Sequence, residues 1–128
     1  MNNLEFATTM QKRTKTFAVQ RVKFFGKLPK TDEARVPGRQ LLRSGTSVAA
    51  NYRAVCRAKS DADFISKMGT VVEETDESLL WLELFEETEI CAKRQVEPLQ
   101  AESDELLRIF SISLNTAKRN AGRLPCTH

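Results

Sequence analysis

The chain of 128 residues has one histidine, three cysteines, five glycines and four prolines, and no apolar run approaches the roughly 20 residues that a membrane-spanning helix needs. Each scarcity excludes something. His128 is the last residue, so chemistry that needs an imidazole base or ligand has no carrier. Cys56, Cys91 and Cys126 are odd in number, widely spaced and not arranged as Cys-x-x-Cys, which supports neither a disulfide framework nor a zinc knuckle. They read as reduced thiols, with Cys56 and Cys91 expected at small core or near-core positions. The start, Met-Asn-Asn-Leu-Glu-Phe, lacks the basic region and apolar stretch of a secretion signal, so a cytoplasmic protein without membrane contact is expected. Ser44-Gly45-Thr46-Ser47 lacks the flanking glycine and the Gly-Lys-Ser or Gly-Lys-Thr ending of a phosphate loop, and there is no nucleophile elbow. A ferritin-like di-metal site would need Glu-x-x-His pairs that the chain does not have. The expectation is a non-enzyme with no metal and no cofactor.

Charge is abundant and unevenly placed. The net charge of +3 hides two opposed blocks: residues 11–59 carry +11, and residues 60–107 carry −11. Such asymmetry within one domain implies faces of opposite sign, which pair with each other or meet a charged partner.

Apolar periodicity predicts four helices. In the first, residues 4–27, Met10, Thr14, Phe17, Arg21, Phe24 and Leu28 recur in a 4-3-4-3-4 step that draws one seam. Pro29 disfavours the helical conformation at Leu28 and ends it. Residues 31–36 read as a connector, with Pro37 in the first turn of a second helix that runs to about residue 58. Its apolar face comprises Leu41, Leu42, Gly45, Val48, Ala49, Tyr52, Val55 and Cys56, and its small residues from Ser44 to Ala50 predict close helix packing. Ser60 and Asp63 form a capping box at the start of the third helix, where Phe64, Met68, Val71, Thr75, Ser78, Leu82 and Phe85 make the seam. A loop near residues 88–94 leads to a fourth helix, opening between Lys93 and Pro98, with Leu99, Leu106, Leu107, Ile109, Phe110, Leu114, Ala117 and Ala121 as its core face. Short connectors force consecutive helices to run antiparallel. The predicted fold is all-α, an up-down-up-down four-helix bundle over residues 1–122 with a tail at residues 123–128.

The basic block supplies the candidate binding residues. Lys12, Arg13, Lys15, Lys23 and Lys27 lie on the first helix, and Arg39, Arg53, Arg57 and Lys59 on or just after the second, with Arg21, Lys30 and Arg35 in the same block. Such a surface attracts nucleic-acid phosphates through counterion release, unless the cations pair with acids of the third helix. Arg43, Asn51 and Glu77 are expected to form a structural polar cluster, with a carboxylate of the third helix serving Asn51.

Gln40-Leu41-Leu42-Arg43-Ser44-Gly45-Thr46-Ser47-Val48-Ala49-Ala50-Asn51-Tyr52, with Ala58-Lys59-Ser60, Asp63-Phe64-Ile65-Ser66-Lys67-Met68 and Glu77-Ser78-Leu79-Leu80-Trp81-Leu82-Glu83-Leu84, resembles the four-helix-bundle family of 23S rRNA intervening-sequence proteins. The resemblance implies a small bacterial protein that assembles as a homopentamer and has no attached enzymatic activity. It also implies kinship with the accessory protein of diversity-generating retroelements, hence RNA or other nucleic acid, and a reverse transcriptase or another protein, as partners. The family's helix-two Arg and Asn correspond to Arg43 and Asn51, and its helix-three Glu to Glu77. Where many members follow the Asn with Ile-Ala-Glu-Gly, this chain has Tyr52-Arg53-Ala54-Val55, which makes the helix more basic.

Overall fold

The computed structural model describes residues 3–122. The predicted tail therefore lies outside the described residues. Four helices follow in chain order: α1 (Asn3–Gly26), α2 (Asp32–Val55), α3 (Asp61–Glu87) and α4 (Lys93–Asn120). Among the described residues there is no strand, and α1 packs on α2, α2 on α3 and α3 on α4, in a four-helix bundle.

The seams follow the sequence period. On α1, Met10, Thr14, Phe17 and Arg21 are buried; on α3, Met68, Val71, Thr75, Ser78, Leu82 and Phe85 are buried in the predicted register, and Ile65 takes the innermost place that Phe64 was expected to hold. The Ser60 Oγ accepts a hydrogen bond from the Asp63 amide at 3.1 Å, and the Asp63 carboxylate in turn accepts from the Lys59 amide at 3.1 Å and from Lys67 Nζ at 2.9 Å. One short side chain thus ties the α2–α3 turn to the first turn of α3.

The start of α2 differs from expectation. Residues 32–36 are not a connector: α2 starts at Asp32, and Pro37 is inside it. Asp32 and Glu33 suit the positive end of the helix dipole, and Ala34, fully buried, gives this first turn an anchor in the core. Pro37 cannot donate to the Glu33 carbonyl, but Glu33 is exposed and water can serve that oxygen. In α4 the same economy recurs, with Pro98 inside the helix and Arg94, four residues earlier, exposed. That helix begins at Lys93, where the Gln95 side chain accepts from the Ala92 amide at 2.9 Å.

The core falls into two apolar clusters. Phe17, Val48, Tyr52, Met68, Val71, Leu106 and Phe110 are central to one, near the α2–α3 turn; Ala34, Leu41, Leu82, Phe85, Val96 and Leu99 form the other. Between them in every helix sits a buried polar residue: Arg21, Ser44, Ser78 and Ser103. Of the two cysteines expected at core or near-core positions, Cys91 takes a near-core place and Cys56 does not. Cys56 follows Val55 at the end of α2 and is exposed, while Cys91 is half-buried against the second cluster, which pushes its thiol pKa up.

Candidate nucleic-acid interface

Three arginines of the basic block turn away from solvent or take acidic partners, and each does so because of the helix that lies opposite. Arg21 is fully buried. Its Nε donates to Ser78 Oγ at 3.2 Å, Nη1 to the Phe17 carbonyl at 3.1 Å, and Nη2 to Ser103 Oγ at 2.6 Å and the Leu99 carbonyl at 3.0 Å. The guanidinium also lies 3.2 Å from the centroid of the Phe17 ring. Among the described residues no carboxylate pairs with it, so burial lowers its pKa to about 9, against a weaker opposing pull from Glu102. As a surface cation Arg21 is therefore a correction: it belongs to the core.

Arg13 faces α4. Its Nε and Nη2 donate to the two oxygens of Glu102 at 2.8 and 2.7 Å, and Nη2 reaches Glu105 at 3.0 Å. The Glu102 hydrogen bonds, foremost, raise its pKa. Arg43 faces α3, where Nη2 pairs with Glu77 and Nη1 with Glu74 at 3.0 Å, while Nε donates to Gln40 Oε1 at 3.1 Å. Asn51 does not join that pair. Its amide nitrogen donates to the carbonyl and the hydroxyl of Ser47, at 2.9 and 2.8 Å, one turn back on its own helix. The expected cluster is thus two separate arrangements, an interhelical ion pair and a local amide bond, because the Asn51 side chain finds its own helix before it reaches α3.

The other candidates remain open. Lys12, Lys15, Lys23, Lys27, Arg39, Arg53, Arg57 and Lys59 are all exposed, and none forms an ion pair with an acid among the described residues. They do not form one uniform patch. Lys15 and Arg53 border a shallow cleft of about 320 Å³ between α1 and α2, with Ala49 and Ala50 as its small-residue wall and Gln11 beside them. Lys23 and Lys27 line a different cleft, of about 300 Å³, with Phe24, Ile90, Cys91 and Gln95. Lys59 borders a third, of about 680 Å³, beside the α2–α3 turn, with Cys56, Phe6 and Phe64. Arg39 stands next to Gly38, whose missing side chain leaves room for Phe25 of α1 and for Leu28 just after that helix, and the Arg35 guanidinium lies 5.8 Å from the centroid of the Phe25 ring.

The buried layer is only partly legible in the sequence. Arg21 and Ser78 both occupy seam positions in their helices, and a large cation on a seam facing small hydroxyls is the signal for such a layer. Ser103 and Gly45 complete it, and only the packing of α1 against α2 and α4 brings them to Arg21.

Residues 8–111 match the model of the family described as 23S rRNA-intervening sequence protein. The fold also matches a crystal structure of a protein of unknown function from the S23 ribosomal protein family of Bacteroides thetaiotaomicron VPI-5482, with 34% identity and a TM-score of 0.76 over 81% of this chain and 96% of that one. No curated protein matches the chain significantly. With most of its length matched by the family model and its fold shared with that structure, the chain belongs to the family of 23S rRNA-intervening sequence proteins.

Proposed function

We propose that this protein is a non-catalytic, oligomeric four-helix bundle of the cytoplasm that contacts RNA or other nucleic acid through the basic surface of α1 and α2. The observation that carries the reading is the failure of the two charge blocks to neutralise each other. Of the cations of α1 and α2, Arg13 and Arg43 pair with acids of α4 and α3, while Lys12, Lys15, Lys23, Arg39 and Arg53 stay unpaired and exposed. Unpaired, exposed cations in excess over nearby acids set up the potential that phosphates follow. Affinity for fragments of 23S rRNA, measured at two salt concentrations, tests it. Binding at low salt that weakens as salt rises is expected; no affinity at low salt overturns the proposal.

A second reading is self-assembly without a nucleic-acid ligand, and one observation favours it. Val19 and Val22 are 43% and 50% exposed among the lysines of α1, and Leu80 and Leu84 are 47% and 38% exposed among the glutamates of α3. Apolar patches rimmed by opposite charge suit head-to-tail contact between copies, the arrangement that closes rings, and the family resemblance suggests five subunits. Sizing with light scattering separates the readings: a monomer excludes assembly, and a ring that binds no RNA leaves assembly alone.

A further inference from the structure

We infer that the cleft between the end of α1 and the start of α4 is a binding site for a small carboxylic acid with an apolar body, of the size of a medium-chain fatty acid. The cleft, of about 300 Å³, is at the small end of ligand pockets and shares no lining residue with the cleft of Lys15 and Arg53, so the site stands apart from the nucleic-acid reading. Its origin lies in how the bundle closes. α1 and α4 touch far less than the other neighbouring helices, and long side chains bridge the gap, Arg13 to Glu102 and Arg21 to Ser103 and to the Leu99 carbonyl. Past Arg21 the chain of α1 presents Phe24 and then Leu28 just after the helix, with exposed Gln95 and Pro98 of α4 in the same cleft. The gap there is left unfilled.

The floor of the cleft is apolar and its rim donates. Phe24, Leu28 and Ile90 pack on the second core cluster yet stay only partly buried, and Leu99 belongs to that cluster. Cys91 lies among them, and because burial pushes its thiol pKa up, it adds no negative charge at neutral pH. Lys23 and Lys27 border the cleft four residues apart, both exposed and neither paired with an acid among the described residues. No acid lines the cleft, and the C-terminal end of α1 favours cations. The Gln95 Oε1 accepts from the Ala92 amide, which leaves its Nε2 to donate. A bare phosphate or acetate would leave the floor uncovered, and a neutral hydrocarbon would leave both ammonium groups without a counter-charge. A sugar-phosphate backbone would meet the lysines but brings no apolar group to the floor. An apolar body ending in a carboxylate satisfies both.

Octanoate, octanol and acetate are the probes. Isothermal titration calorimetry gives their affinities, and the rate of Cys91 alkylation by iodoacetamide, read by peptide mass spectrometry, gives the location. Octanoate is expected to bind about tenfold more tightly than octanol or acetate. It should slow alkylation of Cys91 severalfold, while Cys56, which lines a different cleft, keeps its rate. The exposed double variant K23Q/K27Q should lose about tenfold in octanoate affinity, with unchanged thermal unfolding. No binding of octanoate, equal binding of octanol or acetate, undiminished affinity in K23Q/K27Q, or protection of Cys56 in place of Cys91 overturns the inference. So does protection of Cys91 without octanoate that rises with protein concentration, which assigns the cleft to a second copy of the chain. Protection by an RNA fragment that octanoate does not reproduce overturns it too and assigns Lys23 and Lys27 to nucleic acid.

Discussion

The stem of Arg21 crosses α2 at Gly45: a methyl group built on Gly45 would stand 2.7 Å from Cδ of Arg21, 3.0 Å from its Cγ and 3.1 Å from its Cβ. The helical backbone of Gly45 would suit any residue, so the glycine is required here by the neighbour and not by its own conformation. It lets α1 approach α2 closely enough for the guanidinium to pass between them and reach the hydroxyls of Ser78 on α3 and Ser103 on α4.

Gly45→Ala should therefore destabilise the fold by about 1–3 kcal/mol, the range for overpacking a filled interior, even though alanine is the better helix former. Urea unfolding of G45A, R21A and the double variant is the measurement. The double variant should be more stable than the sum of the single losses predicts, because removing the stem clears the clash; strict additivity would place the strain elsewhere.

Arg21 itself should matter more for its stem than for its charge. Arg21→Ala empties a buried site and is expected to lose about 3–5 kcal/mol, while Arg21→Met keeps most of the volume and should stay within about 1.5 kcal/mol of the parent. The sign of the pH dependence follows from burial, which lowers the folded-state pKa to about 9, below its ordinary value. From about 9 upward the unfolded chain holds more protons than the folded one, so this group makes stability rise with pH there, and the gain is lost as pH falls through 9. The parent should gain on R21M between about pH 8 and about pH 10.5; a flat difference would mean that the guanidinium is not desolvated as its burial indicates.

Arg43 and Asn51 should behave as independent residues. They are eight positions apart on α2, about 12 Å, and have no partner in common. Arg43→Gln should cost no more than about 1 kcal/mol, with the loss shrinking in high salt because the pair is half-exposed. Asn51→Ala should cost about 0.5–1.5 kcal/mol without that salt dependence. A double-mutant cycle with a coupling energy well above about 0.5 kcal/mol would show that the two belong to one cluster after all.

Asp63 should make the α2–α3 turn sensitive to acid. Its hydrogen bond from Lys67, foremost, and that from the Lys59 amide hold its pKa below the usual carboxylate range. A depressed folded-state pKa contributes stability that is present above the ordinary value and is lost as pH falls through the lowered one. Asp63→Asn should thus melt below the parent at about pH 7, and the gap should close as the pH is taken down past the lowered pKa. A gap that persists unchanged in strong acid would assign the loss to something other than the carboxylate charge.

The number and placement of the helices, the α3 cap and the division into basic and acidic blocks were legible in the sequence, because they rest on near neighbours and on a period of about 3.6 residues. Ser60 and Asp63 are three residues apart, and the α3 seam from Met68 to Phe85 repeats without a break. The start of α2 was not legible. Pro37 resembles a first-turn residue, yet the buried Ala34 and an exposed Glu33 make an earlier start favourable.

The fate of each cation was decided only by tertiary structure. Arg13 and Lys15 are two residues apart and carry the same charge, yet Arg13 meets Glu102 and Glu105 of α4, while Lys15 borders the open cleft between α1 and α2. Arg21 sits in the same basic run and is buried altogether. Charge is a property of the residue, but whether it is neutralised, desolvated or left to attract a phosphate depends on what the opposite helix brings within a few ångströms, and those partners are about 60 to 90 residues away along the chain.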